Sequence, residues 1–267
     1  MRATGSGYAV RAARVFLRDP MLGIERARDV LSDRKERRRR PYHYDAVTDW
    51  HRPMHELFGL PWPCSAEGEF FELWSELVRE MSARGVVLGR ATFGGWDDAG
   101  PALAFASYCL ARQLRPEHAV ETGVARGVTT RFILEALDRN GSGDLASVDL
   151  PPVLEEGLHD EIAIAVPEAK RHRWTLCRGS SRQRLPALLD GLGSIELFVH
   201  DSLHTGRNVR FELDQAWPRL SPGGAALVDD VDFNPALREF LQVADARAIV
   251  AQHDDRRRLF AVLRKDD

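Results

Sequence analysis

The sequence predicts an α/β protein built on a mostly parallel sheet with helices on both faces. Three observations predict it. Short apolar runs alternate with helical patterns from residue 116 to 264, a glycine-bearing turn joins the first run to its helix, and the last two runs read as a hairpin. The chain of 267 residues with 44% hydrophobic side chains is large enough to bury a substantial core around such a sheet.

The first 60 residues are rich in arginine and aromatics and carry little periodicity. Between Arg26 and Arg40 there are eight basic residues (Arg26, Arg28, Arg34, Lys35 and Arg37 to Arg40) against three acidic ones (Asp29, Asp33, Glu36). That composition reads as a solvated helix or arm. Phe70, Phe71, Trp74, Leu77, Val78 and Met81 then recur at three- and four-residue steps, with Gly85 where a helix would end. A glycine-rich stretch around Gly94, Gly95 and Trp96 follows and suggests part of a lid. Pro101 opens a second helix, through Leu103, Phe105, Cys109, Leu110 and Leu114, and Pro116 stops it.

The alternating half begins with a strand at Ala119 to Thr122 and a helix from Thr130 to Asp138, ended by Asn140-Gly141. Strands at Leu145 to Asp149 and Arg173 to Cys177 come next, and a helix from Arg182 to Leu189 follows the latter. A fourth strand, Ile195 to Val199, precedes a helix in which Val209, Leu213, Trp217 and Leu220 share a face. Pro222-Gly223-Gly224 breaks that helix before a fifth strand, Ala225 to Val228. Ala248 to Ala251 and Leu259 to Leu263 form the hairpin. Together these divide the chain into a helical N-terminal extension over 1–95, serving as acceptor lid or oligomer contact, and a cofactor-binding domain over 96–267.

Composition narrows the partners. With 37 Lys and Arg against 40 Asp and Glu, the net charge of −3 provides no global attraction for nucleic acid or anionic lipid. The cysteines Cys64, Cys109 and Cys177 are far apart and form no C-x-x-C pair, so neither a disulfide framework nor a zinc knuckle is expected. No apolar run approaches the roughly 18 residues of a membrane span. The expectation is a soluble cytoplasmic protein.

In an open parallel sheet, ligands bind beyond the carboxyl ends of the strands, so function is read there. After the first strand stands Glu121-Thr122-Gly123-Val124-Ala125-Arg126-Gly127-Val128-Thr129-Thr130. Its glycines allow close backbone approach, and the next helix offers free N–H groups to a carboxylate or phosphate. Counted from Gly123, the nicotinamide fingerprint fails at Ala125 and Val128. Asp149 ends the second strand and suits the two hydroxyls of a ribose. Gly179-Ser180-Ser181 ends the third and offers an adenine edge polar groups, or simply caps a helix. His200-Asp201-Ser202-Leu203-His204 and Asp229-Asp230 follow the fourth and fifth. Carboxylates converging from these two loops suit Mg²⁺, and His204 lies close enough to Asp201 to act as a base near neutral pH. His51 and His55 have helical i, i+4 spacing without His-Glu-x-x-His and read as structural.

Taken together, Val120 to Gly127, Asp149 and Gly223-Gly224 leading into Val228-Asp229-Asp230 resemble class I S-adenosylmethionine-dependent methyltransferases. Phe198 to His204 followed by Leu220-Ser221-Pro222-Gly223-Gly224 is similar to macrocin-type sugar O-methyltransferases. The resemblance implies a Rossmann-like, seven-stranded sheet ending in the antiparallel hairpin. It implies S-adenosylmethionine held by Glu121, Thr122, Gly123, Gly127, Thr129, Thr130, Asp149, Ser180 and Asp201, and Mg²⁺ held by Asp201, Asp229 and Asp230. In place of the family's common Asp-Gly-Asp-His this chain has Ser202 and Leu203 in the middle, which leaves His204, with Asp201, as the catalytic candidates. The expected activity is O-methylation of a small acceptor (a sugar, glycoside or phenol) in natural-product biosynthesis, by a homodimer without nucleic-acid or membrane partners. The alternatives are a metal-independent small-molecule N-methyltransferase and a non-catalytic cofactor-binding subunit. The Asn- or Asp-Pro-Pro-aromatic loop of amino-methylating relatives is absent after the fourth strand.

Overall fold

The computed structural model describes residues 13, 16–94, 98, 100–152, 155–254 and 257–266. Gly95 and Trp96 of the expected lid lie outside the described residues. Helix α1 spans Pro20–Glu36, the short strand β1 Ala46–Val47, α2 His51–Phe58, α3 Glu67–Ala83 and α4 Pro101–Leu114. The alternating region follows as β2 (His118–Thr122), α5 (Val128–Asn140), β3 (Asp144–Asp149), β4 (Trp174–Arg178), α6 (Ser181–Leu192) and β5 (Ile195–His200). Then come α7 (Gly206–Ala216), β6 (Leu220–Val228), α8 (Ala236–Leu241), β7 (Ala246–Gln252) and β8 (Leu259–Lys265).

All strands join one sheet in the order β1-β7-β8-β6-β5-β2-β3-β4. The β2–β3, β3–β4, β2–β5 and β5–β6 pairs are parallel, whereas β8 is antiparallel to both β6 and β7. The Rossmann-like α/β class and the C-terminal hairpin are therefore as expected. The correction is an eighth strand. Ala46 and Val47 of the extension pair in parallel with Val250 and Ala251, covering the outer edge of β7. Strand β6 also begins earlier than expected, at Leu220, with a register shift against β5 between Ile195 and Leu197 that accommodates Pro222-Gly223-Gly224.

Side chains alternate across the sheet. Leu197 and Val199, Ala225 and Leu227, and Phe260 and Val262 face one layer with α4 and α5. Ile195 and Phe198, Ala226 and Val228, and Ala261 and Leu263 face the other with α6, α7 and α8. Helix α3 and α2 belong to the first layer, because Trp50, Met54, Phe70, Leu77 and Met81 are buried in the same cluster as the sheet. Pro101 stands at the start of α4, where its missing N–H costs nothing, and Gly141 ends α5 at φ +73°.

Chain connections run from β2 to β3 and β4 on one side and from β5 to β6 on the other. The strand order therefore reverses between β2 and β5, which defines the crevice where such sheets bind ligands.

Candidate active site

The loops after β2 and β5 meet at this crevice. Gly123 has φ +85°, and a Cβ there would lie 2.0 Å from the Asp201 carbonyl oxygen, so only glycine lets the two loops touch. The Asp201 N–H donates to the Thr122 carbonyl at 2.8 Å. Gly127, at φ +79°, opens α5, and a Cβ there would press on Val166.

Glu121 is fully buried. Thr130 Oγ1 and Ser147 Oγ donate to its Oε2 at 2.8 and 2.7 Å, whereas its Oε1 has no hydrogen-bond partner. Burial pushes its pKa up to about 8 against those two hydroxyls. An orphaned, buried carboxyl oxygen beside a glycine loop is what a cationic or N–H-bearing ligand would satisfy. Thr130 thus supports Glu121, while Thr129 stands half-buried in the first turn of α5.

Asp149 accepts the Val124 N–H at 3.0 Å. Burial raises its pKa, opposed by the Val124 and Ala125 amides and the charges of Arg178 and Arg26. The carboxylate so braces the glycine loop at the place expected for a ribose. Ser180 is the N-cap of α6 in a capping box with Gln183, and its hydroxyl donates to Glu25 of α1 at 3.0 Å. In this structure the serine serves as a cap and an anchor for α1.

At the far side, Asp201, His204 and Asp229 each bring a donor atom within 4.8 Å of the others. Asp230 turns elsewhere: its Oδ2 is 3.2 Å from His204 Nδ1 and its Oδ1 is 3.8 Å from Arg258. His253, which the sequence did not single out, closes the cluster through Nε2 at 2.8 Å from Asp229 Oδ1. Burial opposes charge on both histidines, yet the carboxylates prevail. Asp230, Asp201 and Asp229 lift His204 well above its ordinary value, and Asp229 pushes His253 up to about 9. Burial pushes Asp201 up to about 6, with Asp229 adding to the rise and His204 opposing it. For Asp229, burial is outweighed by His253 and His204, which hold the carboxyl at about 2. Two imidazolium charges thus neutralise the acidic cluster.

That donor set fits a divalent cation. The carboxylates of Asp201 and Asp229 are hard oxygen ligands of the kind a divalent cation such as Mg²⁺ or Mn²⁺ takes, with the His204 imidazole beside them.

A second buried carboxylate supports the loops from below. Glu212 on α7 accepts from Thr122 Oγ1 and Ser202 Oγ, the latter at 2.7 Å, from Asn208 Nδ2 at 2.9 Å, and pairs with His200 Nδ1. Burial would raise its pKa, but His200 and the hydroxyls of Ser181 and Thr122 bring it down to about 2. Thr122 is therefore a structural tie, and Ser202 occupies its unexpected place in the motif for the same reason. Arg126 is likewise buried, holding Asp98 at 2.7 Å and the Val87 and Thr92 carbonyls, which fastens the segment before α4 to the glycine loop. Glu212 and Asn208 at i, i+4 beside Leu213 were a signal for a polar stripe turned inward. Nothing local marks Arg126 or His253.

Residues 120–231 match a family model described as a methyltransferase domain. The matched stretch runs from within β2 to just beyond β6 and so takes in both sides of the crevice. Among solved structures the chain is similar to the Streptomyces achromogenes O-methyltransferase TomG, involved in tomaymycin synthesis and bound to S-adenosylmethionine (17% identity, 72% of this chain, 89% of that chain, TM-score 0.51). It is also similar to a Bacillus cereus O-methyltransferase in complex with S-adenosylhomocysteine (14% identity, 81% of this chain, 98% of that chain, TM-score 0.51). At these identities the likeness is one of fold. No curated protein matches the sequence.

Proposed function

We propose that the chain is an S-adenosylmethionine-dependent O-methyltransferase acting on a hydroxyl of a small acceptor, a sugar or natural-product glycoside, with a divalent cation at Asp201 and Asp229. The observation that carries this reading is the contact of the Gly123 loop with Asp201, which puts the cofactor crevice and the Asp201–His204–Asp229 cluster side by side. The glycoside class rests on the similarity of residues 198–224 to sugar O-methyltransferases.

The cofactor supplies a methyl on a sulfonium, whose thioether leaves neutral. The protein therefore has to bind, align and deprotonate rather than stabilise a departing anion. The glycine loop and Glu121 receive the methionine end, and Asp149 faces the ribose. A divalent cation would acidify a hydroxyl beside Asp201 and supply the positive charge that the two histidines now provide. His204 accepts a proton only in its neutral form, which the surrounding carboxylates disfavour until that charge is compensated. Asp201, with its pKa near 6, shares the proton with it.

The test is release of S-adenosylhomocysteine across a panel of glycosides, phenols and amines, with and without EDTA. Turnover on a hydroxyl acceptor that stops in EDTA and returns with a divalent metal supports the reading. His204→Ala should lower the rate about 10²- to 10⁴-fold while leaving cofactor affinity nearly unchanged. Activity on amines alone, or full turnover in EDTA, would reject it.

A further inference from the structure

In the layer formed by α2, α3, α4 and α5, the fold gathers two buried thiols that the methyl-transfer reading does not use. Cys64, in the connection between α2 and α3, and Cys109, within α4, place their sulfurs 2.9 Å apart although 45 residues separate them. Both are unpaired by any disulfide and buried, Cys109 completely and Cys64 with 6% of its surface exposed. His55 stands over them. Its Nε2 is 3.1 Å from Cys109 Sγ, and its Nδ1 is 2.5 Å from the Pro61 carbonyl. A carbonyl can only accept, so Nδ1 carries a hydrogen and Nε2 is the ring nitrogen that faces the thiols.

Two chemistries suit two cysteines and a histidine, and distance separates them. Tetrahedral zinc, with Zn–S near 2.3 Å, holds two thiolates about 3.7 Å apart and takes a fourth ligand. Here the sulfurs are closer than that, and three donors converge. A disulfide bond is about 2.05 Å, so the sulfurs need to close by less than an ångström. The hydrogen bond from the Cys109 thiol also favours a Cys64 thiolate, which burial opposes and the Ala66 amide and His55 assist, bringing Cys64 down to about 6.

We propose that Cys64 and Cys109 form a redox-active dithiol that hydrogen peroxide oxidises to a disulfide, with His55 as the proton acceptor. The Cys64 thiolate attacks one peroxide oxygen and breaks the O–O bond, giving a sulfenic acid and hydroxide, which leaves as water after taking a proton. Cys109 then gives its proton to His55 Nε2, and its sulfur attacks the Cys64 sulfur. The S–S bond forms as the S–O bond breaks, the departing hydroxide takes the proton from His55, and a second water leaves. Overall, two thiols and one peroxide become one disulfide and two waters. The bond ties the α2–α3 connection to α4, and hence the N-terminal extension to the sheet's helical layer.

The test is hydrogen peroxide added to the full chain, followed by alkylation under denaturing conditions and peptide mapping without reductant. A Cys64–Cys109 linked peptide, reversed by a thiol reductant, with Cys177 still alkylated, is the expected result. Cys109→Ser should stop Cys64 at a sulfenic acid that a 1,3-dione probe captures. His55→Gln should slow linkage at neutral pH about tenfold and regain the wild-type rate as pH rises. Both cysteines remaining alkylated after peroxide, over-oxidation of Cys64 without linkage, or one equivalent of tightly held zinc that protects both thiols would each overturn the proposal.

Discussion

At the scale of single residues, Glu121 illustrates how burial sets function. With a pKa of about 8 the carboxyl is largely protonated at neutral pH, and its Oε1 lacks a partner. A sulfonium or ammonium arriving beside it favours the carboxylate, so cofactor binding should expel a proton. Titration calorimetry near neutral pH in phosphate and in Tris should give apparent enthalpies that differ in proportion to the buffers' ionisation enthalpies. Glu121→Gln should abolish the difference, and a wild type with no buffer dependence would refute the assignment. His253 makes a second residue-level prediction. Its pKa rises from 6.5 to about 9 in the fold, so the folded state holds a proton that the unfolded chain has lost between those values. The stabilisation is complete below pH 6.5 and disappears as pH rises through about 9. Glu121, raised from 4.5 to about 8, acts in the same direction over its lower window. Urea unfolding should therefore show stability falling across pH 6 to 10, and His253→Gln should flatten the upper part of that decline.

At the scale of elements, helix α1 departs most from expectation. Its composition suggested a solvated arm, yet its acids are docked on the ends of α6 and α7. Asp29 meets Arg207 at 2.9 Å, Glu36 accepts the Gly206 N–H that opens α7, and Glu25 accepts from Ser180. Arg40 adds a hydrogen bond to the Phe233 carbonyl and stacks over that ring. Charge-assisted hydrogen bonds of this kind contribute about 1.5 to 3 kcal/mol each where they are shielded. Asp29→Asn with Glu36→Gln should raise the rate of tryptic cleavage within 26–40 by about 5- to 30-fold, with high salt having a similar effect on the wild type. An unchanged rate in both cases would mean that the helix is held by other contacts. The strands, by contrast, were legible, because β2, β3, β5, β6, β7 and β8 are compact apolar runs bounded by glycine, proline or acids. So were the strand-end acids, since a parallel sheet delivers every carboxyl end to one edge. What the sequence concealed depends on distant partners. Two-residue β1 is too short to show a period, α1 finds its counter-charges more than 150 residues away, and Cys64 meets Cys109 only because α4 packs beside the α2–α3 connection.

At the scale of the molecule, the division into an N-terminal extension and a cofactor domain is one of sequence, and the packing crosses it. Trp50 is 1% exposed, and its ring lies 5.0 Å from Phe260 of β8 and 5.9 Å from Phe105 of α4. Phe70 of α3 stands 4.6 Å from Phe132 of α5. The same aromatic cluster thus closes the extension, the helical layer and the sheet. A sheet whose covering helices come from both sides of that division should not unfold in two steps. Loss of Trp50 removes a large buried side chain at the junction, and Trp50→Ala should cost about 3 to 5 kcal/mol. Because both sides lean on it, denaturant transitions followed by far-UV circular dichroism and by the fluorescence of the remaining tryptophans should stay coincident and move together to lower denaturant. An early partial loss of helical signal, with the fluorescence transition in place, would instead mark the extension as a separately folding unit. It would also assign the burial of Trp50 to a docked surface and not to the core.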